Sequence, residues 1–375
     1  MRPLTQRRRE SLMLGLGLMA ILSLVACRDI TSLQQENPGA LSGVTLYVPG
    51  NAQLIVNGAA GDFECAFARY VVGSGLFTDE LSVGISQTAN FDYDARRLLT
   101  NATYGTNTCA ATPSTTQQPG IYTPLSTARA TADTAAANLE HWTDAEVANR
   151  TKLLGQSYAY AGYSLALLGE GMCTAAINLG PELTPAQLFA EARVRFDKAI
   201  TAAGTANDAT TLNFARVGRA RVLVDLGGAA NLASAATDAA AVPATFVMNT
   251  SPDAVNARRQ NTLFIAISQS SFSTVDTSFR NVLVPGGTTQ DPRVLVTDLA
   301  RNGTATGSRI FLPAKAATNA TAMRVASYAE AQLIVAEAAA SVGDLVSATT
   351  AINNARARTA GVPVYVLPAG ANTAT

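Results

Sequence analysis

The chain has 375 residues, 27 Lys+Arg against 27 Asp+Glu and a single histidine, enough for one large domain or two ordinary ones around a sizeable core. A formal charge of zero excludes the basic surplus of a nucleic-acid binder, and a charged fraction of 14% excludes a polyelectrolyte tail or an acidic disordered chain. Hydrophobic residues make up 48%, much of it alanine, with only 6% aromatics, a balance that favours helix.

The N-terminus is a targeting segment rather than part of the fold. Arg2, Arg7, Arg8 and Arg9 form a cationic region, and an apolar run from Leu12 to Ala26 follows, too short and glycine-spotted for a comfortable spanning helix. It ends in Leu24-Val25-Ala26-Cys27, which resembles a bacterial lipobox. Residues 1–26 are therefore expected to be a cleaved lipoprotein signal peptide, with Cys27 the acylated residue and residues 27–50 a lipidated tether. Two or three acyl chains, each adding about 0.8 kcal/mol per buried CH₂, would hold the body on a membrane. Arg28 stands where the best-known inner-membrane retention signal has aspartate, which points to the outer membrane. Loss of the Arg-rich leader leaves a mildly acidic body with a net charge of about −3. Cys65, Cys109 and Cys173 then remain in an oxidising compartment, where one disulfide can form with all three pairings open. No clustered Cys/His spacing suggests a metal, and no cofactor is expected.

Beyond the tether, residues 51–375 read as a single domain. Apolar positions at helical spacing (Leu54, Ile55, Ala59, Phe63, Phe67, Tyr70, Val71) predict a first helix ending near Gly73-Ser74-Gly75. Residues 82–120 then read as a long polar loop insertion carrying Phe91, Tyr93 and Tyr104. Helical periodicity returns at 122–142 and 145–168. Thr184-Pro185 opens a helix over 185–203, and a helix over 208–226 closes at Gly227-Gly228 with an Ala-rich partner to about Ala241. Residues 243–320 form a second irregular insertion with short β-branched runs, before helices over 322–342 and 345–359.

Seven residues before the terminating glycines Gly169, Gly227 and Gly343 stand Gly162, Ala220 and Ala336, small residues that let a neighbouring helix approach. This is the physics of tetratricopeptide-like helical hairpins at irregular spacing. The fold class expected is mainly α: a tetratricopeptide-like helical-hairpin scaffold with long irregular loops.

The segment 323–363 goes further. Arg324, Tyr328-Ala329-Glu330, Leu333-Ile334, Ala336-Glu337-Ala338, Gly343-Asp344, Ile352-Asn353, Arg356, Arg358 and Gly361 together resemble the hallmark of the SusD/RagB family of nutrient-binding outer-membrane lipoproteins. Thr78-Asp79-Glu80-Leu81 and Asp291-Pro292-Arg293 add weaker matches. Such proteins continue past this point with a further charged and aromatic segment, whereas this chain ends at Thr375 in a small-residue tail, as a truncated or shortened relative would.

Arg324, Glu330, Glu337, Arg356 and Arg358 are expected to form a structural carboxylate–guanidinium network locking the last helix pair, rather than a catalytic carboxylate pair. His141, beside Trp142 at a helix end, reads as a packing or capping residue, and no nucleophile motif or phosphate loop is present. The protein is expected not to be an enzyme. The resemblance implies a surface lipoprotein that binds a nutrient, a glycan or oligosaccharide, and delivers it to a SusC-type TonB-dependent transporter. Phe91, Tyr93, Tyr104, Asn90 and Asp92 are the candidate ligand-binding residues, because sugar rings stack on aromatic faces while amides and carboxylates bind hydroxyls. The other reading is a tetratricopeptide-like envelope lipoprotein that scaffolds protein interactions without binding a nutrient.

Overall fold

A computed structural model describes residues 43–84, 88–96, 109, 120–303, 307–368 and 370–371. Two compact units divide at Val48/Pro49. In the first, the described residues form the single helical turn Gly43–Leu46.

The second unit is a succession of helices, each packed on its neighbour: α1 (Ala52–Phe77), the short α2 (Thr88–Asp94), α3 (Tyr122–His141), α4 (Arg150–Gly171), α5 (Pro185–Thr205), α6 (Ala209–Leu226), α7 (Ala229–Ala240), α8 (Tyr328–Ser341) and α9 (Leu345–Arg356). α3 packs on α1 and α4, α4 on α5, α5 on α6, α6 on α7, α7 on α8 and α8 on α9. This is the mainly helical, tetratricopeptide-like scaffold the periodicity predicts.

Local chemistry sets the ends. Thr184 and Gln187 form a complete capping box at the start of α5, with Pro185 in the first turn. The Asp208 carboxylate accepts from the Thr211 N–H at 3.3 Å to cap α6, and Gly227, at φ +68°, ends it. Three ends differ from expectation. α1 runs through Gly73 and Gly75 to Phe77, because these glycines admit neighbours: an added Cβ would lie 2.4 Å from the Ile121 side chain at Gly73 and 3.0 Å from Leu81 at Gly75. α4 starts at Arg150 rather than 145. Thr143 closes a local turn onto the Glu146 carboxylate, through its N–H at 2.7 Å and its hydroxyl at 2.8 Å, and Asn149 sits in the left-handed region at φ +58°. α8 starts at Tyr328 rather than 322, because residues 324–327 are drawn into a strand.

The described parts of the two insertions hold regular structure that their composition does not suggest. β1 (Leu81–Val83) precedes α2 and pairs antiparallel with β5 (Ser273–Val275). A small ladder joins β2 (Ala175–Ala176) to β3 (Glu182–Leu183). β6 (Val296–Asn302) and β7 (Arg309–Pro313) form a hairpin, tied to β5 where Thr274 donates to the Arg309 carbonyl and accepts from the Phe311 N–H, each at 2.9 Å. β4 (Val247–Asn249) pairs antiparallel with β8 (Arg324–Ser327), so the intervening chain leaves and returns at one place beside α8.

The core runs along the helix stack. Phe63, Tyr163 and Phe196 are fully buried and Phe214 nearly so. Tyr163 stacks on Phe214 with centroids 4.2 Å apart and meets Phe196 edge-on at 5.1 Å. Its hydroxyl, whose titration burial pushes far up, donates to the Phe214 carbonyl at 2.9 Å. Cys65 on α1 is disulfide-bonded to Cys109, which selects one of the three pairings and leaves Cys173 as an exposed thiol. No helix among the described residues is long and apolar enough to cross a membrane.

Candidate functional site

The described helix faces enclose a cleft of ≈ 600 Å³ between α1, α4, the start of α6 and the segment from Met248 to Arg259. That volume suits a small ligand or a short stretch of a polymer. α1 contributes Gln53, Asn57, Gly61 and Glu64, at spacings of four, four and three, which place them on successive turns of one face. α4 contributes Lys152, Gln156 and Tyr160 at spacings of four. Two polar stripes therefore face a common space.

The half-buried Tyr160 ring is held by tilted contact with Phe63 at 5.4 Å and edge contact with Phe214 at 5.7 Å. Burial raises the titration of its hydroxyl, which stays a neutral donor. Gln53 donates to the Asn57 carbonyl oxygen at 2.9 Å, leaving the Asn57 amide protons for other acceptors. On the opposite wall, Arg258 and Arg259 reach α1: Arg258 pairs with Asp62, and Arg259 lies 3.7 Å from Glu64. Burial raises the Glu64 carboxyl above the ordinary value, opposed by hydrogen bonds from Ser251 and the Arg259 charge. Arg259 also donates to the Ser251 carbonyl, while its Nε is buried with no acceptor among the described residues. The cleft thus offers an aromatic surface, neutral amides and charged groups in one place, an arrangement for reversible recognition of a polyhydroxylated molecule.

Of the sequence-predicted ligand residues, Phe91, Asp92 and Tyr93 lie on α2, outside the cleft lining. Tyr93 is buried, near Gly73 and within the main core cluster, and burial pushes its hydroxyl up to about 12. Asp92 is buried as well, and Phe91 is exposed. Tyr93 is an anchor of α2 to the body and offers no open face for a sugar, which corrects the expectation. The Asn90 side chain, Tyr104 and Cys27 lie outside the described residues.

The predicted carboxylate–guanidinium network is also redrawn. Glu330 pairs not with Arg324, Arg356 or Arg358 but with Arg221 of α6, at 2.7 Å. Arg221 additionally donates to the Val325 carbonyl at 3.0 Å and lies over the Tyr163 ring, so it fastens α6 to β8 and α8. Arg324 is exposed on β8, Glu337 and Arg358 are exposed, and Arg356 donates to the Pro363 carbonyl at 2.7 Å. Residues 324–327 form strand β8 rather than helix, so Arg324 shares no helix face with Glu330. Asp291-Pro292-Arg293 closes on itself as a two-bond fork, Nη2 to Oδ2 at 2.6 Å and Nε to Oδ1 at 3.0 Å.

The residues of the cleft carried no motif. Their signal was the i, i+4 recurrence of polar groups on helices that otherwise read as core, Gln53/Asn57 and Lys152/Gln156/Tyr160. Arg259 had no signal, since a loop brings it there.

No family model matches the sequence, and no curated protein does. Solved structures do match the fold. A SusD/RagB family protein from Bacteroides thetaiotaomicron superposes with a TM-score of 0.51 and 14% identity, over 84% of this chain and 78% of that one. A SusD-like carbohydrate binding protein from Bacteroides vulgatus gives 0.56 and 12%, over 87% and 78%. A SusD-like protein from Bacteroides thetaiotaomicron gives 0.53 and 12%, over 80% and 69%. The chain carries the SusD-like fold.

Proposed function

We propose that the protein is a non-catalytic glycan-binding lipoprotein of the outer membrane, anchored through Cys27, that passes its ligand to a SusC-type TonB-dependent transporter. The observation that carries the binding step is the cleft, where the Tyr160 ring stands among Asn57, Gln156 and Lys152. One similar fold belongs to a carbohydrate binding protein, which supports the ligand class. Anchoring rests on the lipobox-like Leu24-Val25-Ala26-Cys27, and delivery on the resemblance of residues 323–363 to the family hallmark.

Gly61 provides the test. An added Cβ there meets nothing within 4 Å, so Gly61→Leu fills the cleft without a clash at its root. In affinity electrophoresis against a polysaccharide panel, wild type is expected to be retarded by at least one glycan and Gly61→Leu to migrate freely with an unfolding midpoint no lower than wild type. Equal retardation of both would move the binding site away from this cleft. Gentle detergent extraction should recover the protein with a large outer-membrane barrel, and recovery as a free lipoprotein would refute delivery.

A further inference from the structure

One wall of the cleft is held in place differently from the rest. Residues 251–260, which bring Ser251 and Arg259 to it, hang between two fixed points. Thr250 and Asn261 are both buried. The Thr250 N–H donates to the Met323 carbonyl at 2.8 Å, and Asn261 donates to the Asn319 carbonyl at 2.7 Å and the Thr321 carbonyl at 2.8 Å. Between these points no described side chain is buried, and Val255 is 92% exposed. The segment braces itself instead. The Asp253 carboxylate accepts from the Val255 and Asn256 N–H groups at 2.8 and 3.1 Å. The Asp253 N–H donates to the Arg259 carbonyl at 3.1 Å, and the Gln260 amide to the Ala254 carbonyl at 2.7 Å. A piece with internal bonds and no apolar anchor opens as a unit, at the low end of local stability.

Its hold on the helices is ionic. Arg258 pairs with Asp62 and Arg259 lies 3.7 Å from Glu64, two carboxylates of α1 whose side chains are only 12% and 11% exposed, against 38% for each arginine. Ser251 adds hydrogen bonds to Glu64, and the Asn319 amide reaches the Ala254 carbonyl at 3.2 Å on the exposed side. The closed position also carries a cost. The Nε of Arg258 and that of Arg259 are both buried with no acceptor among the described residues, and water satisfies them once the segment lifts. We propose that residues 251–260 are a strap that opens and closes this wall of the cleft, latched to α1 by Arg258 on Asp62 and Arg259 on Glu64, so that a glycan enters and leaves through the unlatched state. The inference rests on the glycan-binding reading and adds to it the control of access.

The test pairs hydrogen exchange with binding kinetics on the full chain. Asp62 and Arg258 belong to the latch and not to the cleft lining, so Asp62→Asn with Arg258→Gln removes one ion pair, leaves no charge unmatched and touches no ligand contact. Amide exchange over residues 251–260 should quicken about threefold or more, as loss of one partly exposed ion pair allows, while α4 exchanges as in wild type. Arg258→Lys, which keeps the charge and loses the fork, should fall between. Against whichever glycan of the panel retards wild type, immobilised for surface plasmon resonance, the double variant should raise the association and dissociation rates together. Exchange over 251–260 that is indifferent to these changes overturns the latch. Faster exchange with both rates unmoved overturns the gate while glycan binding stands. Failure of wild type to bind any glycan overturns the glycan reading and the gate with it, whereas the exchange result still reads the latch alone.

Discussion

Phe196 offers the sharpest test of how the helix stack is held. It projects from α5 between Gly162 of α4 and Gly218 of α6 and is fully buried. A Cβ at Gly218 would fall 2.4 Å from Phe196 Cε1 and 2.9 Å from Tyr163 Cζ, and one at Gly162 would fall 2.7 Å from the same Phe196 atom. The ring cannot yield to one helix without meeting the other. Ala in place of Gly inside a helix ordinarily gains about 0.5–1 kcal/mol. Overpacking a closed core costs about 1–3 kcal/mol. Gly218→Ala is therefore expected to lose about 1–2 kcal/mol net, whereas Gly58→Ala on α1, where a Cβ meets nothing within 4 Å, gains about 0.5–1 kcal/mol. Urea unfolding at constant slope reads both values. Adding Phe196→Leu to Gly218→Ala should recover part of the loss, a favourable coupling that independent sites do not show. A Gly218→Ala protein as stabilised as Gly58→Ala would refute the wedge.

Cys65 and Cys109 close a sequence separation of 44 residues, so paired Cys65→Ser and Cys109→Ser changes should cost about 4 kcal/mol in unfolding free energy under oxidising conditions. No difference between variant and wild type would argue against the pairing. The Asp291 carboxyl, hydrogen-bonded by Arg293, is held down at about 2, below the unfolded value. Its stabilisation is present above the unfolded carboxylate pKa and lost as pH falls from about 4 to about 2, so wild type should exceed Asp291→Asn by about 1–2 kcal/mol near neutrality. That margin should close by about pH 2, and a margin independent of pH would show that the fork contributes through packing alone.

Helices were legible where local chemistry decides them. Thr184-Pro185 with Gln187, and Asp208 with Gly227, mark α5 and α6 because caps lie within one turn of what they cap. The small residue seven before Gly169 proves to be Gly162, the seat of Phe196, so that pattern had a packing cause. Misreadings arose where distant chain decides. The periodic run from 322 begins in β8, since residues 247–249 claim it as a strand partner. The signal was present in Ser327, whose hydroxyl accepts from the Glu330 N–H at 3.3 Å and so dates the helix start. Glu330 was read with arginines near it in sequence, yet Arg221, 109 residues away, reaches it. The site was least legible: aromatic residues in a polar segment looked like ligand contacts, and Tyr93 is buried instead. The cleft draws on three helices and a loop, a convergence no local window contains.

The clasp between β4 and β8 has an evolutionary consequence. Everything from Thr250 to Met323 departs and returns between two strands about 4.8 Å apart, closed by hydrogen bonds from the Thr250 N–H to the Met323 carbonyl at 2.8 Å and from the Met323 N–H to the Thr250 hydroxyl at 2.9 Å. Doubling the length of a closed excursion adds only about 0.6 kcal/mol of closure entropy. The stretch between the clasp strands can thus change length cheaply, while its β5, paired with β1, and its Leu263 and Ile267, buried in the main core, hold it against the helices. Because Ser251 and Arg259 ride on it while Asn57, Gln156 and Tyr160 belong to the helices, one wall of the cleft can change length and composition without re-registering a single helix.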